Sequence, residues 1–458
     1  MLTIAYYKEY RQGENLLKAA RFSGDDMAKK VFFHTFGCKV NSCDSEMASK
    51  LLETRGFDIA DDLADADIVV VNSCAVTAAA ERKSRAFVRS AKRLNPEAAT
   101  VLIGCYAQAY PEKAAALEEA DVVAGNAAIE DLPALIERHL ERRERMADFT
   151  PHGISDKLWH VELNAFRGHT RAFLKAEDGC EHACSYCVVP SARGFVRSLL
   201  PDGINRQARA FADSGYKEIV LTGINLASYG KREGLDLADA VRAAQVPGIE
   251  RIRLSSLEPD LLPDSLIDRL AGCEKLCAHF HLSLQSGCDR TLRAMGRRYS
   301  AGKYLQLADK LRGAFDSPTF TTDIMTGFPT ESDEDFCESL RFAAEFGFLK
   351  CHVFPYSVRP GTKAALLEQL PKSLREERAK MMAAAVADGR RRVLAGQIGK
   401  TVGVIVESET AAGVFEGYSE RYFRVLIEAE GIKPGDLVSA VITGANGETT
   451  KGRFCGHL

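Results

Sequence analysis

The sequence predicts an α/β chain in three parts. These are a doubly wound parallel α/β domain over residues 30–145, a partial (β/α)6 barrel over residues 166–395, and a small β-barrel over residues 396–458. Residues 146–165 read as a linker and residues 1–29 as an N-terminal extension. Three observations carry this reading. Short apolar runs alternate with helix-length segments in two separate stretches, the pattern of parallel sheets built from β/α units. The second stretch repeats the unit six times, enough for a barrel or partial barrel. After residue 396 helices give way to short strands separated by turn residues.

The elements follow in order. Met27 stands just ahead of the first convincing strand and reads as an alternative start. Val31–Phe36 is that strand, and Ser45–Gly56 is a helix with Met47, Leu51 and Leu52 apolar and Gly56 past its end. Asp67–Asn72 is a continuous apolar strand, Ala78–Leu94 a helix stopped near Pro96, and Thr100–Gly104 a third strand. Residues 127–165 are charged and irregular, with Glu141–Arg145 reading as a solvated helix end that runs into the linker. The barrel strands are Ala172–Ala176, Glu218–Thr222, Arg251–Ser255, His279–Leu284, Phe320–Met325 and Cys351–Phe354. Leu374–Leu394 is a charged helix, and Thr401–Glu407, Phe423–Glu428 and Asp436–Thr443 are strands of the last domain.

Composition narrows the function. Apolar residues at 46% and charged residues at 27% exclude disorder over most of the chain. No apolar run approaches the ~18 residues of a membrane span. The first residues lack the apolar core of a secretory signal, so a cytoplasmic protein is expected. A net charge of −3 excludes a globally basic coat but leaves room for a local basic groove. An odd count of 13 cysteines in a long chain argues against a disulfide scaffold. Such thiols serve metals or catalysis, or are simply buried.

Position separates those cases. Cys38, Cys74 and Cys105 each follow the carboxyl end of a predicted strand, at separations of 36 and 31 residues. In a parallel sheet those ends share one edge, where ligands bind. The three thiols can therefore converge, or they can be three separate buried cysteines. Cys180-x3-Cys184-x2-Cys187, with Tyr186 beside the last cysteine, is the stronger signal. Three thiolates on one short loop suit a cubane iron–sulfur cluster whose fourth iron lacks a protein ligand. Zinc is the alternative metal, with His182 inside the loop as its fourth ligand.

This loop, opening a barrel, is similar to the signature of the radical S-adenosylmethionine superfamily. Thr35-Phe36-Gly37-Cys38-Lys39-Val40-Asn41, Asn72-Ser73-Cys74 and Gly104-Cys105 further resemble the N-terminal domain of the methylthiotransferases. The C-terminal strands resemble their TRAM domain, an RNA-binding barrel. The resemblance covers about residues 30–458. It implies two 4Fe-4S clusters and S-adenosylmethionine. Cys180, Cys184 and Cys187 would bind the cluster that cleaves S-adenosylmethionine to a 5′-deoxyadenosyl radical. Cys38, Cys74 and Cys105 would bind the cluster involved in sulfur delivery, and a second S-adenosylmethionine would supply the methyl group. The logic is that an unactivated C–H does not react with nucleophilic sulfur until a radical opens it.

Within the family the wording at Gly37–Asn41, Cys74-Ala75-Val76-Thr77, Arg82-Lys83-Ser84-Arg85 and Asp178-Gly179-Cys180 is most similar to the branch acting on threonylcarbamoyladenosine in tRNA. The same chemistry on isopentenyladenosine or on a ribosomal-protein aspartate is the first alternative. A non-catalytic iron–sulfur RNA-binding protein is the second. Two positions depart from the family pattern: Cys43, an inert helix-start cysteine or a competing ligand, and Ser191, where a larger residue is usual.

The implied partners are the tRNA anticodon stem-loop, S-adenosylmethionine and an electron donor such as flavodoxin or ferredoxin. The chain is expected as a monomer with no membrane contact. Tyr186, Gly223, Asn225, Glu258, Gln285 and Arg298 are the candidates to line the cofactor, since the polar groups among them sit at barrel strand ends. Neighbouring Arg297 offers the same forked donor as Arg298. Arg82, Lys83, Arg85, Arg193, Arg421 and Arg424 are the candidate RNA contacts, with Tyr422 as a stacking platform.

Overall fold

A computed structural model describes residues 28–458, and the expected N-terminal extension lies almost wholly outside them. The described chain divides into two units, one of residues up to Val161 together with Val188–Phe195, the other of Glu162–Cys187 and Val196–Leu458.

The first unit is a parallel sheet flanked by helices. Its strands are β1 (Lys30–Thr35), β2 (Asp58–Ile59), β3 (Ile68–Ser73), β4 (Ala99–Gly104), β5 (Val122–Ala124) and β6 (Met146–Asp148), in the order β2-β1-β3-β4-β5-β6. Its helices are α1 (Lys39–Glu53), α2 (Ala78–Leu94), α3 (Cys105–Ala109), α4 (Pro111–Ala115), α5 (Leu132–Arg142) and α6 (Val189–Arg193). Alternate residues of each strand feed opposite faces. Val69, Val71 and Leu102 pack with side chains of α2, α3 and α4, whereas Ile68, Val70, Val101 and Ile103 pack with those of α1 and α5. Both faces are covered, so the strands read as unbroken apolar runs. Thr77 caps α2, its Oγ1 accepting from Ala80 N at 3.1 Å.

Two expectations change here. The linker expected from residue 146 opens with β6, which pairs with β5 from Val122↔Met146 to Ala124↔Asp148. A strand of three residues among charges leaves no pattern to read. Helix α1 starts at Lys39 rather than Ser45, so Cys43 lies inside it, fully buried.

The second unit holds six parallel β/α steps. Strand β7 (Ala172–Lys175) is followed by a short β8 (Glu177–Asp178) that pairs with β9 (Arg197–Ser198). Then come α7 (Pro201–Asp213), β10 (Glu218–Thr222), α8 (Leu237–Ala244), β11 (Arg251–Leu254), β12 (Ser256–Leu257), α9 (Asp264–Ala271) and β13 (His279–Leu282). The series ends with α10 (Asp289–Ala294), α11 (Ala301–Ala314), β14 (Thr319–Thr326), α12 (Asp333–Phe346), β15 (Lys350–Pro355) and α13 (Lys372–Ala395). The strands pair in parallel as β11-β10-β7 and β12-β13-β14-β15, with the break at Ser255 between β11 and β12. Every strand expected for the barrel is present within a few residues.

The small barrel closes in the order β16-β17-β18-β20-β19, from β16 (Thr401–Ala411), β17 (Val414–Ser419), β18 (Arg424–Glu428), β19 (Leu437–Ala445) and β20 (Thr450–His457). Val402, Val404, Phe415, Val425, Ile427, Val438 and Ile442 fill it. It seats on the first residues of β10 and β11, away from the strand ends that carry the cysteine loop. Arg251 donates to Gly403 O and Tyr418 O, both at 2.8 Å, and Arg253 to Ser419 O and Glu420 O, both at 3.0 Å. Glu218, fully buried, accepts from both guanidinium groups. Burial opposes its ionisation, but Arg253, Arg251 and Arg171 outweigh it and hold the carboxyl at about 2.

Candidate functional site

The first unit brings three cysteines to one edge of its sheet. In the sheet register Ser73 pairs with Gly104 and Thr35 with Asn72. Cys74 and Cys105 are the next residues after such a pair, and Cys38 lies three beyond Thr35. The strand order reverses between β1 and β3, and a doubly wound sheet opens its ligand crevice at that point.

Two glycines permit the approach. Gly104 has φ +98°, and a Cβ there would fall 2.2 Å from Asn72 Oδ1. Gly37 has φ +111°, and its Cβ would fall 3.2 Å from Cys74 Cβ. Either side chain would push the cysteine loops apart.

Asn41 ties the loops together. Its Nδ2 donates to Phe36 O at 2.8 Å and Ser73 O at 3.0 Å, while its Oδ1 lies 3.5 Å from Cys105 Sγ and 3.9 Å from Cys38 Sγ. Arg193 completes the group. Its Nη1 donates to Asp44 at 2.6 Å and its Nη2 to Asn41 Oδ1 at 2.5 Å, and its Nε lies 3.2 Å from Cys105 Sγ.

Burial first, and then Cys105 beside it, push the Cys74 thiol up to about 12. Burial likewise pushes the Cys38 thiol up; a thiol at this edge becomes a thiolate when a cation arrives, since a coordinating thiol is deprotonated outright. The donor set suits a thiophilic cluster with three protein ligands.

The second unit carries the other cysteines on the loop after β8. Cys187 N donates to Cys184 O at 3.1 Å, closing a turn. Ser185 anchors it, through its N to Met295 O and its Oγ to Ala294 O, both at 2.9 Å. Arg297 Nη1 lies 3.3 Å from Cys184 Sγ and 3.5 Å from Tyr186 Oη, and Nη2 of the same guanidinium is ion-paired with Glu258. Burial pushes the Cys180 thiol up to about 12.

The strand ends around this loop leave buried polar atoms without a protein partner. They include Asn225 Oδ1, Gln285 Oε1 and Glu177 Oε1. Asn225 Nδ2 stands 3.9 Å from Cys180 Sγ, and Asn225 N donates to Glu177 Oε2 at 2.8 Å. Gly223 abuts the same carboxylate, with room for no side chain: a Cβ would fall 2.5 Å from Glu177 Oε2. Gln285 holds a left-handed φ of 65°, a strain of about 1–3 kcal/mol that the surrounding structure must offset. Unsatisfied buried amides and carboxylates cost stability unless something supplies the missing bonds. A ligand with amino, carboxylate and adenosine groups supplies them, so the residues fit S-adenosylmethionine beside a cluster.

Several expected site residues change place. Arg298 is exposed, and its neighbour Arg297, whose side chain is 3% accessible, makes the carboxylate pair instead. Of the expected RNA contacts, Arg82 and Lys83 are exposed on α2, and Arg85 pairs with Glu81 at 3.5 Å. Arg424 is partly exposed and pairs with Glu416.

Arg193 and Arg421 are not available to a phosphate. Arg193 is 1% exposed and committed to Asp44 and Asn41. Arg421 is 8% exposed and pairs with Asp316 at 3.0 Å, because its turn is the seat of the small barrel. Both ring nitrogens of His182 face carboxylates, at 4.0 Å from Glu258 and 3.8 Å from Asp260.

Asp44, Asn126, Glu177 and Tyr299 are site residues that the sequence reading missed. Asn126 Nδ2 lies 3.5 Å from Cys105 Sγ, and Tyr299 Oη donates to the Ser283 carbonyl beneath Arg297. None carries a local motif: Asn126 and Tyr299 reach their sites from distant elements, while Asp44 stands six residues after Cys38 on α1 and Glu177 three before Cys180.

The chain matches the family described as Uncharacterized protein family UPF0004 over residues 30–125 and the Radical SAM superfamily over residues 177–343. It is 34% identical over 442 residues to threonylcarbamoyladenosine tRNA methylthiotransferase MtaB of Bacillus subtilis (strain 168), spanning 93% of this chain and 96% of that protein. It is 38% identical over 373 residues to tRNA-2-methylthio-N(6)-dimethylallyladenosine synthase of Syntrophomonas wolfei, spanning 78% of this chain and 82% of that one. The solved structure of the radical S-adenosylmethionine methyltransferase TsrM from Kitasatospora setae, with cobalamin and a 4Fe-4S cluster bound, is similar in fold. Its TM-score is 0.54 at 15% identity, over 74% of this chain and 77% of that chain. No helix among the described residues is long and apolar enough to cross a membrane.

Proposed function

We propose that this chain, which belongs to the radical S-adenosylmethionine tRNA methylthiotransferases, converts N6-threonylcarbamoyladenosine beside the tRNA anticodon into its 2-methylthio derivative. Enzymes of this family use S-adenosylmethionine and two 4Fe-4S clusters. When bound, these groups supply the radical that opens an unactivated C–H, the sulfur that enters, and its methyl group.

The chain's own residues have separable tasks in this reading. Cys180, Cys184 and Cys187 hold the radical-generating cluster and leave one iron open. Glu258, Gln285, Asn225 and the narrow floor at Gly223 orient the cofactor against it, with Arg297 fixing the Glu258 carboxylate. Cys38, Cys74 and Cys105 hold the second cluster at the switch point of the first unit. Arg82 and Lys83 on exposed α2 are the groups best placed to meet a phosphate backbone, and that contact would weaken with salt.

The observation that carries the substrate assignment is the likeness to the threonylcarbamoyladenosine enzyme of Bacillus subtilis over nearly the full length of both chains. The 38% identity to the dimethylallyladenosine synthase keeps isopentenyladenosine as the second reading. Mass spectrometry of tRNA nucleosides from cells with and without the gene decides between them. Loss of 2-methylthio-threonylcarbamoyladenosine with build-up of its precursor is expected. Loss of the isopentenyl product would move the enzyme to the sister reaction. No change in either nucleoside would overturn the tRNA assignment once a redundant enzyme is deleted as well.

A further inference from the structure

We propose that Arg193 is a positioning residue of the first cysteine site: its guanidinium donates to the sulfur of Cys105 and sets the reduction potential of the cluster held there. This rests on the reading that Cys38, Cys74 and Cys105 bind a cluster.

Arg193 stands six residues beyond Cys187, yet it folds with the first unit. Helix α6 is wedged in place by Val188 and Ala192, which belong to the core beneath α3 and α4. The Ala192 carbonyl lies 3.0 Å from Asn126 Nδ2 and 3.1 Å from the His152 Nε2. The side chain is thereby delivered into a pocket where it is 1% exposed.

A guanidinium has five donors in a rigid fork. One Nη is spent on Asp44, itself buried, and the other on Asn41 Oδ1. Those two bonds would suffice to fasten α6. Nε is nevertheless 3.2 Å from Cys105 Sγ, and Asn126 Nδ2 approaches the same sulfur at 3.5 Å.

Two donors on one cysteine sulfur have a defined physical effect. Iron–sulfur potentials respond to net charge and to hydrogen bonds at the sulfurs. A cluster gains negative charge on reduction, so donors and a nearby cation favour the reduced form. Asp44 offsets the cost of burying the cation but leaves the Nε–H directed at sulfur.

The test uses the full chain carrying Cys180→Ala, Cys184→Ala and Cys187→Ala, so that only the first cluster remains. Iron analysis comes first: a folded chain with no iron overturns the cluster reading itself. If iron is bound, EPR-monitored titration with dithionite reads the midpoint potential. Arg193→Met paired with Asp44→Asn removes the guanidinium donor and the buried ion pair together. A shift to more negative potential is expected. Arg193→Lys, which keeps the charge but loses the fork, should shift it less in the same direction. Loss of the iron from a folded double variant also supports the proposal, because the donors then hold the cluster as well. Unchanged iron and unchanged potential in both variants would overturn the role of Arg193 and leave the cluster reading intact.

Discussion

The two cysteine sites are assembled by opposite means. On the loop after β8, three thiols fall within eight residues, so chain connectivity and a tight turn keep them close, and the fold's part is to anchor the turn at Ser185. At the edge of the first sheet, three thiols come from three strands spread over 68 residues, and only the register of a parallel sheet makes them neighbours. The first arrangement is a property of a peptide. The second is a property of a topology, and every element that sets the register is part of the site.

The largest expected effect separates the two sites by function. Cys184→Ala should abolish 5′-deoxyadenosine formation under anaerobic reduction and leave iron at the sheet edge. Cys74→Ala should abolish sulfur insertion and leave cofactor cleavage measurable. Full methylthiolation by the Cys74 variant would collapse the distinction.

A smaller effect tests whether the sheet-edge site depends on backbone approach. Gly104→Ala places a methyl 2.2 Å from Asn72 Oδ1 at a φ of +98°. It should cost about 1–3 kcal/mol of stability and lose first-site iron in greater proportion than loop iron. The measurement is a melting curve with iron analysis of the anaerobically purified chain. Equal loss from both sites would mean that the register is not what holds the first one.

The smallest effect concerns the support beneath the loop-bearing barrel. Glu218 is held at about 2, below its ordinary 4.5, by Arg253, Arg251 and Arg171 against the opposing cost of burial. A depressed carboxyl contributes stability that is complete above its unfolded value and lost as pH falls through its folded one. The urea midpoint of the full chain should therefore fall between about pH 4.5 and about pH 2. Glu218→Gln should start lower and show a shallower fall. An identical slope in the variant would assign the acid sensitivity to other groups.

What was legible in the sequence follows the same contrast. The loop cysteines were readable from spacing alone. Cys38, Cys74 and Cys105 were readable because strand ends recur at regular intervals, although convergence remained one of two readings. Arg193 was misjudged as an RNA contact because its partners lie 88 and 149 residues away in sequence. Arg297 and Arg298 could not be separated, since adjacent residues share composition but not facing.

Strands β17 and β20 escaped notice because glycine and polar residues such as Gly417, Ser419, Thr450 and Gly452 occupy their inward positions. In Thr450–His457 only Thr450 is buried, so the strand has almost no apolar signal. Their place in a closed barrel comes from pairing with neighbours, which a single segment does not display.

The eight residues of α6 and its flanks have a practical consequence for dissecting this enzyme. The chain passes between its two units three times, after Val161, after Cys187 and after Phe195. A protease cut near residue 161 therefore leaves the halves joined covalently at neither new end but still interleaved through one short insert. A gene split at that point would express a first unit lacking α6, with buried Asp44 deprived of its Arg193 ion pair and its sheet edge missing a wall. Fragment complementation should succeed only when residues 188–195 travel with the half that uses them, so a gene that joins residues 188–195 to the first unit through a linker is a better route to the isolated unit than a truncated one.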